Sequence, residues 1–240
     1  MTHRHRKCPE RRGLLPACAV ALMLTTVAPA AGEVTKARFS VQAVGIKVGE
    51  LHLEGEIVAE GYTARARFAT TGLAGTMAPV RFDMAAYGSG RFAPSGYRED
   101  IDTGTRQSTA QLAYSGGVPQ LAGGRLGKQD PPAVAPKNLR GTVDPMTALF
   151  AVLRDRPADG FCDIDMAVFD GARLTRILLA DAGNGECSGW FTRVAGYSTR
   201  ELARFGRFRV RLFHGGHEGL MQVERVQVQT VHGPVTLLRR

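Results

Sequence analysis

The sequence lacks long apolar runs, massed basic residues and the nucleophile and phosphate motifs of common enzymes. Its one pronounced apolar stretch, Leu14–Val27, is short for a transmembrane helix, which needs about 20 residues. Lys and Arg are scattered rather than massed with aromatics, so there is no nucleic-acid footprint, and no nucleic-acid partner is expected. No Gly-x-Ser-x-Gly elbow occurs. The segment Gly123-Gly-Arg-Leu-Gly127-Lys128 is friendly to phosphate, but a P-loop needs glycine where Ala122 stands and Ser or Thr where Gln129 stands. Strands do not alternate with helices of the length a parallel βαβ sheet requires.

Cysteine is also scarce, with four in 240 residues. Cys8 and Cys18 lie in a segment that reads as a leader. Arg4, Arg6, Lys7, Arg11 and Arg12 make a basic start, the apolar stretch follows, and Ala28-Pro29-Ala30 offers small residues at a peptidase site. Residues 1–30 therefore read as a cleavable signal peptide, which implies a periplasmic location. Arg11-Arg12-Gly13-Leu14-Leu15 resembles a twin-arginine signal, although adjacent arginines are ordinary in any basic leader. Five basic residues against Glu10 give the leader +4, which leaves +5 of the chain's +9 for residues 31–240. That mild excess is compatible with attraction to anionic lipid or a polyanionic envelope surface.

The remaining cysteines, Cys162 and Cys187, suggest one disulfide in an exported domain. Such a bond would stabilise the fold by about 3–4 kcal/mol in the chain-entropy model. A geometric objection stands against it. If Cys162 opens a strand running to Val168 and Cys187 opens another two strands away, they flank Leu179 about 9–10 Å apart. A bulge, or the loop at residues 181–186 folding back, has to bring them together.

What is present is β pattern. Phe39, Val41 and Ala43, then Val48, Leu51, Leu53 and Ile57, mostly alternate with polar residues, and Gly45–Gly49 reads as the turn between two strands. Ala64, Ala66 and Phe68 alternate with Arg65 and Arg67. Gly72–Pro79 reads as a small-residue loop or short helix. Further strands are expected over residues 80–92, 97–102 and 108–114. Residues 115–141, rich in Gly and Pro, offer no period and read as a long surface loop.

Asp144 and Pro145 then open a helix near 145–154, with Met146, Leu149, Phe150 and Leu153 as its apolar stripe, Arg154 and Arg156 near its end and Pro157 as its stop. Asp170-Gly171 marks a hairpin, Asp181–Gly185 a second reversal, and His232-Gly233 a last one. Thr199–Arg204 reads as one helical turn. The expected fold is all-β: about eleven or twelve strands in an antiparallel meander forming a closed or half-open barrel, with one clear helix. Residues 31–240 read as a single β-rich domain of two halves, 33–114 and 142–240, joined by the loop 115–141.

Val44-Gly-Ile-Lys-Val-Gly49, Thr142-Val-Asp-Pro145, Phe169-Asp-Gly171, Cys187-Ser-Gly189 and Gly196-Tyr197, in this order and spacing, resemble the bacterial domain-of-unknown-function family 3108. The resemblance implies an exported β-rich domain from a Gram-negative bacterium. It brings no activity and no catalytic residues.

Candidate sites are few. His214-Gly-Gly-His217-Glu218 is the most ligand-like cluster, and the same residues also suit a glycine turn with exposed polar groups. His52 and His232 are isolated. Glu99, Asp100 and Asp102 form an acidic patch that suits a solvated strand end. Trp190, Phe191 and Tyr197 could line a cavity or pack a core. No catalytic residue, no cofactor and no metal is assigned, and the ligand-binding residues are unknown. The reading favours a non-catalytic periplasmic protein that binds a lipid or other apolar ligand, or an envelope protein partner. The alternative is an envelope hydrolase or metal-dependent enzyme using His214 and His217.

Overall fold

A computed structural model describes residues 32–105, 107–126 and 132–240. The leader read at residues 1–30, with Cys8 and Cys18, lies outside the described residues. Thirteen strands form one antiparallel sheet: β1 (Glu33–Ala43), β2 (Ile46–Val58), β3 (Gly61–Thr70), β4 (Arg81–Ser89), β5 (Ala93–Asp102), β6 (Gln107–Ser115), β7 (Val118–Arg125), β8 (Ile164–Phe169), β9 (Leu174–Gly183), β10 (Glu186–Ala195), β11 (Arg207–His217), β12 (Leu220–Thr230) and β13 (Gly233–Arg239). Each strand pairs with its sequence neighbour, except that β1 pairs with β13 and β7 does not meet β8. The result is a nearly closed barrel with one seam, between β7 and β8.

Local chemistry sets the reversals. Asp170 accepts hydrogen bonds from the Ala172 and Arg173 amides while Gly171 takes φ +102°, so the β8–β9 turn lies where the sequence places it. The first turn does not. It falls on Val44 and Gly45, both left-handed at φ +50° and +82°, and Ile46 to Gly49 belong to β2 instead.

The expected loop 115–141 is also corrected. Residues 118–125 form β7, which pairs with β6 through backbone bonds around Gly123 and Gly124. Those glycines carry no side-chain period, so the pattern hides the strand. This strand brings the count among the described residues to thirteen.

Helix α2 (Pro145–Leu153) lies inside the wrap of the sheet. Asp144 caps it, accepting from the Thr147 amide at 2.8 Å. The expected single apolar stripe is too narrow a description, because Thr147, Ala148, Ala151 and Val152 are buried beside Met146, Phe150 and Leu153. A helix buried nearly all round is a core element. The ring of Phe150 lies over Gly55 of β2, where a Cβ would collide with it. Phe150 also meets Phe92 edge-on at 6.1 Å. Phe39, Leu53, Leu212 and Val223 complete the packed interior.

Polar contacts fasten both ends of α2 to the sheet. Its lead-in covers the free edge of β8, with Val143 accepting from the Phe169 amide at 2.8 Å and donating to Ala167 at 2.9 Å. At its exit, Asp155 takes a bidentate pair from Arg239 of β13 at 2.7 and 3.0 Å. Arg156 is buried and gives its guanidinium to the carbonyls of Ala151, Val152, Arg154 and Phe161. It satisfies orphaned carbonyls at the helix end. Its burial pulls the group down to about 10, still cationic at neutral pH.

Two short helices, α1 (Gly72–Met77) and α3 (Thr199–Phe205), sit in connections on the outside. The second opens on a capping box between Ser198 and Glu201. Among the described residues no helix is long and apolar enough to cross a membrane.

Candidate functional site

Cys162 and Cys187 are joined in a disulfide, with Cα atoms 5.3 Å apart. The geometric objection fails because Cys162 is not in a strand. β8 begins at Ile164, and tight turns from Phe161 to Ala158, Asp163 to Gly160 and Ile164 to Cys162 swing the cysteine out of the sheet into the interior. The register of β10 against β9 sets Cys187 opposite Asp181, and Leu179 pairs with Gly189 two residues further on.

His214 joins the pair. Its Nε2 lies 3.8 Å from Cys162 Sγ, and its ring stacks on Phe161 at 4.5 Å. Phe161 in turn carries the Arg156 guanidinium at 3.9 Å. His217 does not belong to this group. Three residues along β11 places it on the opposite face, where its side chain is exposed beside Glu218. Val210, Leu212 and His214 share one parity on β11, and Val210 and Leu212 are core residues. That alternation is the signal by which the sequence could have turned His214 inward and His217 outward.

A second buried polar group surrounds the start of α2. Thr147 Oγ1 donates to Asp144 at 2.6 Å, which leaves the Tyr62 hydroxyl to donate to Thr147 at 2.6 Å. Burial raises the Asp144 carboxyl to about 6 against the pull of its hydrogen bonds with Thr147. Burial also raises the phenols of Tyr62, Tyr97 and Tyr114. The three phenols therefore stay neutral at physiological pH, while Asp144 gives up its proton just below it.

The acidic patch is engaged. Glu99 accepts from Tyr97, Asp100 pairs with Arg81, and Asp102 accepts from the Gly104 amide and Gln107. Trp190 and Phe191 face opposite sides of β10. Trp190 stacks with Arg207 at 4.3 Å, and Phe191 packs near Phe208. The three aromatics do not line a common cavity.

Two features remain on the outside. The first is a groove of about 750 Å³ across the outer face of β1–β6, with Val34 and Tyr87 between Lys36, Arg65 and Arg98. The second is one end of the sheet, where the β1–β2 and β12–β13 hairpins turn. There Val44 is 64% exposed, Ile46 71%, Leu73 83% and Met77 84%. Val231 is exposed at the adjacent turn, and Val44 lies against Gly233 of that turn. α1 joins this end because the Thr71 amide donates to Val48. The outer face of β9–β12 carries Arg176 and Arg207 toward this end, and Arg209, Arg211 and Arg225 run on toward the other end with Trp190 and Phe213 between them. Asp165 and Glu186 pair with Arg176 and Arg211.

The sheet order, the single seam and the buried helix define a β-barrel-like domain. A family model described as a protein of unknown function (DUF3108) matches residues 38–183. The chain belongs to that family. No curated protein matches the sequence. Among solved structures, the chain is similar to a beta-barrel-like protein of domain of unknown function DUF1849 from Brucella abortus. The identity is 11%, the TM-score 0.49, and the match covers 86% of this chain and 95% of that one.

Proposed function

We propose that this protein is an exported, non-catalytic component of the cell envelope that docks onto an anionic lipid surface through its apolar end. The observation that carries this reading is the exposure of Leu73, Met77, Ile46 and Val44 together at one end. Clustered exposed apolar side chains mark an interaction surface. Val44 sharpens the point. A β-branched residue at φ +50° is costly, and turns of this kind favour Asn or Gly. Strain at a solvent-exposed valine is consistent with a functional constraint. Arg176 and Arg207, at the near end of the basic face of β9–β12, supply charge that anionic headgroups attract. The disulfide supports an oxidising, exported setting.

Co-sedimentation with phosphatidylglycerol-containing vesicles tests the reading. The chain is expected to bind them, and raised salt should weaken binding. The double variant Leu73→Glu, Met77→Glu should bind at least tenfold more weakly, since each inserted side chain contributes on the order of 1.5–3 kcal/mol. Its stability should change little, because both positions are solvent-exposed. Equal binding by the variant, or no binding by the natural chain, overturns the proposal.

A further inference from the structure

We propose that Cys162, Cys187 and His214 form a metal site that opens when an external dithiol reduces the disulfide. Their ligand atoms lie within 4.8 Å of one another. The 3.8 Å between Cys162 Sγ and His214 Nε2 is close to the spacing of two ligands on one tetrahedral zinc ion. Zn–S of about 2.3 Å and Zn–N of about 2.0 Å place such ligands about 3.5 Å apart.

Two further features fit. Nδ1 of His214 is buried and has no hydrogen-bond partner among the described residues, so no competing bond holds the imidazole away from the sulfurs. Both cysteines are buried, and a divalent ion with two thiolates and a neutral imidazole carries no net charge. Such a neutral cluster is one that burial tolerates.

The steps balance. The dithiol gives two electrons and two protons to the Cys162–Cys187 bond and becomes a cyclic disulfide. The protein is left with two thiols. Binding Zn²⁺ then releases both thiol protons to solvent. An oxidant of the disulfide class reverses the sequence and expels the ion. Three protein ligands leave the fourth position to water or a small anion. The site belongs to the packed interior, away from the apolar end, and does not depend on lipid docking.

The test is cobalt titration of the whole protein, oxidised and after reduction by dithiothreitol and anaerobic desalting. Reduced protein should take up one Co²⁺ with a thiolate-to-metal charge-transfer band in the near ultraviolet. Oxidised protein should show none. His214→Ala should weaken binding roughly tenfold or more, and His217→Ala should leave it unchanged. Reduced chain that had unfolded would bind cobalt through its thiols alone, so equal binding by His214→Ala overturns the proposal whether or not the fold survives reduction. Absence of the band in reduced protein, or an equal band in oxidised protein, overturns it as well.

Discussion

Phe150→Ala is expected to lower stability by about 3–5 kcal/mol, the cost of removing a fully buried aromatic and leaving a cavity. The magnitude follows from where the ring sits. Phe150 is buried completely, covers Gly55 of β2 and meets Phe92 of the β4–β5 turn. Helix α2 also packs against β3, β4 and β8, on both sides of the seam. Loss of the ring therefore loosens both flanks together. Urea denaturation of the variant and the natural chain measures the difference. A cost below about 1 kcal/mol would mean that the interior relaxes around the change and is not tightly filled.

The second large effect is on pH dependence, through Asp144. Its folded carboxyl lies near 6, against an ordinary value of 3.8. A folded state with the higher value binds the proton more tightly than the unfolded chain. Stability from this group is therefore present at low pH and is lost as pH rises from about 4 through about 6. The loss is on the order of 2–3 kcal/mol, at about 1.4 kcal/mol per unit. Opposing groups act in a lower window. Arg65 and Arg67 hold Asp83 below its ordinary value despite its burial, and Arg176 does the same for Asp165. Their contributions are lost only as pH falls below the ordinary carboxylate range. Thermal unfolding at pH 4.5 and 7.5 should show the natural chain more stable at the lower value. Asp144→Asn keeps a cap acceptor and removes the charge, so it should flatten that slope. An unchanged slope in the variant would assign the pH dependence elsewhere.

Local features were legible in the sequence where one or two residues decide the backbone. Asp170-Gly171, the Asp144-Pro145 helix start and the hairpin before Gly233 are of this kind. The meander was legible because alternation survives in most strands. β7 was not, because Gly123 and Gly124 leave no period to read. The first turn was misplaced because Val44 adopts a conformation its side chain disfavours.

Features that depend on distant partners were beyond a local reading. β1 closes on β13 across nearly the whole chain, and Tyr62 reaches Thr147 across 85 positions. The cysteine pair was legible by composition, but its route was not. Cys162 alternates with Ile164 like a strand residue, yet the turns ahead of β8 withdraw it from the sheet. His214 and His217 looked like one cluster from their spacing, although an odd separation on a strand sends them to opposite faces.

Hydrogen exchange of the oxidised chain reads directly whether α2 is the interior of the barrel, which is what leaves binding to the outer surface. Amides of Ala148–Leu153 should exchange only with global unfolding, as slowly as those of β1 and β2, while α1 and α3 exchange early. Exchange of α2 on the timescale of α1 would show a helix that opens independently of the sheet, and the filled interior would be wrong.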